Sequence, residues 1–190
     1  MTDSTDLVQL FEQATDRFGE LVASVDDDSW KSPTPCSDWD VRALVNHVVG
    51  EQLWAPHLVA GETMADVGDR YDGDVLGEDP KAAWREAIGP SVAAFAGADL
   101  GGTVHLSYGD EKTEEYLVQM LTDAAVHGWD LAKGIGGDTD IDGETAALLL
   151  AHWSEREEMV RGSGVFGNQV DVPADASAQD KLLALLGRTP

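Results

Sequence analysis

Cysteine is almost missing from this sequence: Cys36 stands alone in 190 residues. An internal disulfide is therefore excluded, and a lone thiol fits a reducing compartment. Basic side chains are scarce too, with 12 Lys and Arg against 36 Asp and Glu and a formal net charge of −24. Such a surface repels phosphate backbones and anionic headgroups, so neither nucleic acid nor membrane is expected as a partner. The imbalance has two readings: a solvated acidic shell, or adaptation to a salt-rich cytoplasm in which cations screen the self-repulsion. The second predicts loss of structure as salt is withdrawn. Long apolar runs are lacking as well, since no stretch approaches the roughly 20 residues of a membrane span. The opening MTDSTDLVQLF has no basic cluster leading into an apolar run, so no signal peptide is read there. A cytoplasmic location is the expectation.

What is present is 43% apolar residues, enough for one globular domain over residues 1–190 with a real core. Apolar positions recur at helical spacing in long blocks separated by turn signals. The first helix is expected from about Thr5 to Ser24, with Leu7, Leu10, Phe11, Ala14, Phe18, Leu21 and Val22 on its apolar stripe. After the Pro-bearing loop SPTPCSDW, Asp40 caps a second helix from about Val41 to Ala60. Residues Glu62 to Glu78 are acidic, glycine-bearing and aperiodic, and read as a surface loop. Asp79-Pro80 starts a third helix to about Ala96. TVHLSYGDEKT reads as two short extended pieces around a Gly-Asp turn, and Thr113 as the cap of a fourth helix running to Gly134. Asp142 starts a fifth, to roughly Arg161. A short extended piece near Val165 to Val172 and a terminal helix from Ser177 to Gly187 complete the chain. The long periodicities predict an all-α fold, an antiparallel four-helix bundle with short extended pieces and a C-terminal helix.

Two helical stripes carry polar centres. On the fourth helix Tyr116, Met120, Asp123, His127 and Leu131 are spaced four, three, four and four; on the second Leu44, His47, Glu51, Trp54 and Leu58 are spaced three, four, three and four. Burying an imidazole or carboxylate without a partner costs several kcal/mol, so each needs one. Two answers stay open. The groups hydrogen-bond each other, or His47, Asp123 and His127 share one divalent ion across two helices, zinc ahead of nickel or iron, leaving a coordination position open.

The stretches TPCSDWDVRALVNHVVG, DAAVHGWDLAKG and VPADASAQDKLLALLGRTP resemble the metal-binding proteins related to mycothiol-dependent maleylpyruvate isomerase, within the wider DinB/YfiT-like superfamily. The resemblance spans nearly the whole chain. It implies a DinB-like bundle with a divalent metal held near one end, the family's histidine on helix two mapping onto His47 and its acid-x-x-x-His onto Asp123 and His127. The acid is commonly Glu in the family and Asp here, a shorter arm that either loosens the third ligand or leaves room for a water. It further implies a low-molecular-weight thiol as cosubstrate, attacking a small electrophilic substrate in an isomerase or transferase reaction. An open metal position equally suits a hydrolase or a non-catalytic metal-binding sensor. The chain is short for a two-domain isomerase, and in a halophile mycothiol itself is doubtful as the thiol.

Around this set, Glu51 reads as a fourth ligand, a supporting acceptor, a general base or simply a carboxylate at the bundle mouth, the last preferred. Asp130 reads as the group orienting His127, or as a partner of Arg42 or a backbone donor. Cys36 reads as a small buried hydrophobe, and His57, His105 and His152 as structural or exposed. Trp39, Trp54, Trp129 and Trp153 are assigned to the core. A homodimer stays open, because bundle relatives pair through helices while the negative charge opposes pairing at low salt.

Overall fold

The computed structural model describes residues 4–163 and 166–190. They fall into two compact units, one ending at Thr139 and one beginning at Asp140.

In the first unit, α1 (Ser4–Ser24) buries Leu7, Leu10, Phe11, Phe18, Leu21 and Val22. Thr15 is buried on the same side, its hydroxyl donating to the carbonyls of Phe11 and Glu12. Helix α2 (Val41–Val59) starts where Asp40 accepts from the Ala43 amide at 2.8 Å, which satisfies one of the four unpaired N–H groups of a helix start. Helix α4 (Pro80–Ala96) is reached through the short α3 (Met64–Val67) and is capped by Asp79; Trp84, Ala87, Ser91 and Phe95 form its buried stripe. Strands β1 (Thr103–Leu106) and β2 (Gly109–Lys112) pair antiparallel and lead into α5 (Thr113–Ile135), which stops at Gly136 in the left-handed conformation (φ 70°).

Helices α1, α2, α4 and α5 make the bundle, each packed against two of the others. Their directions follow from side-chain pairs. Phe11 meets Phe95 and Phe18 meets Trp84, so α1 and α4 are antiparallel. Val41 lies against Gly134 and His47 faces Asp123, so α2 and α5 are antiparallel. Phe18 and Leu21 lie beside Gly128, and Leu21 beside Gly137, while Tyr116 packs near Phe95 at the other end; α1 and α5 therefore run the same way, and so do α2 and α4. The chain goes up, down, down, up. A parallel neighbour requires a connection as long as the bundle, and residues 60–79 supply it.

That connection differs from the surface loop expected over residues 62–78. It holds α3, whose start is a reciprocal capping box between Thr63 and Asp66, and it buries Val67 and Leu76. Four helical residues are too few to show a period. The hairpin also differs by two residues: Leu106 pairs with Gly109, so Ser107 and Tyr108 make the turn while Gly109 and Asp110 belong to β2. Thr113 is not the cap of α5. It is the first helical residue and is buried, and the cap position belongs to Lys112. The amides of Thr113 and Glu114 donate to the carbonyls of Gly102 and Leu100, so loop backbone does what a capping side chain would otherwise do.

In the second unit, α6 (Gly143–Ser154) starts at Asp142, which accepts from the amides of Glu144 and Thr145. The helix expected to run to Arg161 breaks at residues 155–156, and α7 (Glu157–Ser163) follows. The Arg156 guanidinium turns back to bond the His152 carbonyl, satisfying a helix-end acceptor at the break. Helix α8 (Ala178–Leu185) begins at Ser177, as its sequence predicts. Of the extended piece expected near Val165 to Val172, Val165 lies outside the described residues. Residues 166–172 form no strand, and the Val170 amide finds its acceptor at Ala184 on α8. Among the described residues no helix is long and apolar enough to cross a membrane.

Candidate metal centre

The antiparallel packing of α2 on α5 brings His47 level with the turn that carries Asp123 and His127. His47 Nε2 lies 3.2 Å from Asp123 Oδ1, and His127 Nε2 lies 3.3 Å from the same oxygen. One ligand atom from each of the three side chains falls within 4.8 Å of the others. Around a tetrahedral ion with bonds of about 2.0–2.1 Å, neighbouring ligands stand about 3.3 Å apart, so both contacts have the length of a coordination edge. Asp123 therefore reaches both imidazoles despite its short arm. Its other oxygen, Oδ2, is buried with no hydrogen-bond partner among the described residues.

Each imidazole has a carboxylate on its other side as well. Asp130, fully buried, accepts from His127 Nδ1 at 3.0 Å and from the Cys36 thiol at 3.2 Å. Glu51 Oε1 lies 4.0 Å from His47 Nδ1 at the rim. With Nδ1–H of His127 given to Asp130, the Nε2 lone pair is left pointing at a carboxylate oxygen, which tolerates it only if a proton or a cation lies between. The electrostatics say the same. Burial alone would lower the pKa of both histidines, yet the charge of Asp123 and its hydrogen bonds raise them, His127 well above the ordinary value. Burial pushes the Asp123 carboxyl up, and the two imidazoles overcome this and hold it below the usual carboxylate range. Glu51 is raised by burial and then by the charge of Asp123. Tyr116, two stripe positions before Asp123 on α5, is raised by burial and by Glu51 and Asp123, and its buried hydroxyl has no partner among the described residues.

The remaining candidates fall around this core. Cys36 is not a detached hydrophobe: besides Asp130, its sulfur lies 3.8 Å from His127 Nδ1, and Cys36, His127 and Asp130 form a second cluster of possible ligands sharing one imidazole. Trp39 packs half-buried at the edge of the core and also serves the centre. Its ring packs on His47 at 4.7 Å and on His127 at 5.5 Å between centroids, covering the centre. The signal for both lies in the loop just before the Asp40 cap, which chain reversal folds over the start of α2. His57 bonds Glu62 and the Tyr71 hydroxyl, fastening the connection to α2, and His105 bonds Asp110 across the hairpin. Trp129 and Trp153 are buried as expected, whereas Trp54 stands half-buried beside Tyr71.

An open groove of about 700 Å³ runs from His47 and Glu51 along α2, with residues 71–74 of the connection as its far wall. Arg42 and Asn46 hold that wall. Arg42 Nη2 lies 2.9 and 3.1 Å from the two Asp74 oxygens and 2.8 Å from the Gly77 carbonyl; the Asn46 amide donates to the Gly73 carbonyl and accepts from the Val75 amide.

The family model described as the mycothiol maleylpyruvate isomerase N-terminal domain matches residues 11–132. Two uncharacterized proteins from strains of Mycobacterium tuberculosis are each 32% identical over 190 residues, 97% of this chain and 98% of theirs. The crystal structure of a histidine-to-alanine mutant of mycothiol-dependent maleylpyruvate isomerase aligns with a TM-score of 0.61 at 13% identity, over 82% of this chain and 73% of that one. At that identity the likeness is one of fold.

Proposed function

Because the chain belongs to the mycothiol maleylpyruvate isomerase N-terminal domain family, we propose that it is a divalent-metal protein that uses a low-molecular-weight thiol on a small electrophilic substrate, in an isomerisation or transfer. His47, Asp123 and His127 are the ligands. The observation that carries the reading is the convergence of two imidazole Nε2 atoms on one carboxylate oxygen, with the far side of His127 backed by the buried Asp130. Neutral imidazole with a carboxylate suits zinc, and equally nickel or iron, and three protein ligands leave a position for an exchangeable partner. When bound, the metal supplies Lewis acidity that favours the deprotonated, nucleophilic form of a thiol.

The rest of the site is supplied by the chain. Asp130 fixes the His127 ring by holding its Nδ1 proton, the usual role of a carboxylate behind a liganding histidine. Trp39 covers both imidazoles and excludes water from that side. The Glu51 carboxylate, 4.0 Å from His47 Nδ1 and with its pKa raised by burial, is placed to accept a proton at Oε1 next to the open side of the centre. The groove beside His47 gives a small substrate its approach.

The test is elemental analysis before and after reconstitution with zinc, nickel or iron, on wild type and His127→Ala. Wild type should retain close to one equivalent after dialysis; the variant should lose most of it with helix content unchanged by circular dichroism. Wild-type protein that retains no metal, or an alanine variant that binds as well, would sink the assignment. A screen of small thiols with electrophilic acceptors then separates an enzyme from a metal-holding protein.

A further inference from the structure

The groove says something about the substrate that the metal centre does not. Its walls are aromatic and acidic: Trp39, Trp54 and Tyr71 line it with Asp72, Asp74 and Glu51. Its one Lys or Arg is Arg42, already committed to Asp74 and the Gly77 carbonyl. No Lys or Arg pairs with Asp72 or Glu51 among the described residues, and the chain as a whole carries −24. A carboxylate-bearing substrate entering here would meet the like charge of Asp72 and Glu51, with only His47 beside them to offset it. Aromatic faces beside carboxylates are the surroundings that attract an organic cation, through ring quadrupoles and direct charge. Gly50 lies on the floor, one turn from both His47 and Trp54, and a Cβ placed on it would meet nothing within 4 Å. A glycine in a helix interior is unfavourable, and here it leaves the groove open.

We propose that this groove binds a small molecule with a flat apolar body and a positively charged amine, lying against the Trp54–Tyr71 pair with its charge toward the carboxylates of Asp72 and Glu51, and that it rejects dicarboxylates of the maleylpyruvate kind. The proposal deepens the metal-and-thiol reading by naming the substrate class, and it rests on that reading only for where the chemistry occurs.

Benzylammonium, benzyl alcohol and benzoate share one ring and differ in charge. Their binding to the full chain is followed by tryptophan fluorescence and by NMR at fixed ionic strength, with metal content measured on the same samples. Benzylammonium should saturate and bind at least tenfold more tightly than the alcohol, and benzoate should not bind measurably. Asp72→Asn should shrink the preference for the cation severalfold. Gly50→Leu fills the groove and should abolish saturable binding while helix content stays at or above wild type, which separates the groove from diffuse attraction to an acidic surface. Equal binding of the three probes, tighter benzoate, no saturable benzylammonium binding, or wild-type affinity in Gly50→Leu would overturn the proposal. Metal retained without the charge preference defeats this inference alone, and the charge preference without metal defeats the metal reading alone.

Discussion

Asp123 is the residue on which the centre turns, since a single oxygen serves two histidines on different helices. In the metal-free protein that oxygen holds protons on the imidazoles, with a consequence for stability. The folded pKa of His127 is raised above its unfolded value, so its contribution is full below about pH 6.5 and is lost as pH rises through the raised value. Metal-free protein should therefore melt at progressively lower temperature from pH 6.5 toward pH 9. Metal-loaded protein should show the reverse over the same range, because ligation needs the imidazoles deprotonated and releases their protons. Melting curves at several pH values, with and without zinc, test this; a metal-free profile that rises with pH would contradict it. That His47, Asp123 and His127 share inward faces was legible from helical periodicity, whereas Asp130 stayed open between His127, Arg42 and a backbone donor, and only the packed helix shows it against the His127 ring. The places of Trp39 and Cys36 were not legible, since they sit in an irregular loop whose fold-back is set by the Asp40 cap and by the isolated pairing of Pro33 with Asp40.

Among elements, the close approach of α1 to α4 depends on a side chain that is not there. A Cβ on Gly19 would stand 2.6 Å from the Trp84 indole nitrogen, and Trp84 packs on Phe18 in the middle of the core. Alanine is the better helix former by about 1 kcal/mol, yet Gly19→Ala must move a buried indole, at a cost of about 1–3 kcal/mol. Destabilisation in urea is the expected result, and a gain in stability would show that Trp84 relocates freely. Helix starts at Asp40, Asp79, Asp142 and Ser177 were legible because a side chain makes each cap. The start of α5 was misplaced because backbone carbonyls make its cap, and α3 was missed because it is a single turn held by tertiary burial of Val67. The break between α6 and α7 follows no proline or glycine, so composition gave no warning.

Over the whole molecule, a charge of −24 opposes compaction, and screening ions relieve it. We propose that the protein is built for a salt-rich medium: its melting temperature should rise steeply between low salt and molar potassium chloride, and indifference to salt would rule this out. The expectation of one domain over residues 1–190 adds that a single transition should be seen. The order up, down, down, up brings His47 and Asp123, 76 residues apart, together on neighbouring helices, so their contact closes only after distant parts of the chain have met. The same order forces the chain between α2 and α4 to run the length of the bundle, and that segment is the far wall of the groove. Its anchors are few: two buried side chains, Val67 and Leu76, and polar ties from Arg42, Asn46 and His57. A segment so held opens on its own more readily than the core helices open. Amides of residues 63–77 should exchange with deuterium well before those of residues 116–132, and an occupant of the groove should slow the first set without touching the second. Entry and release at the groove would then be timed by how often this strap lifts.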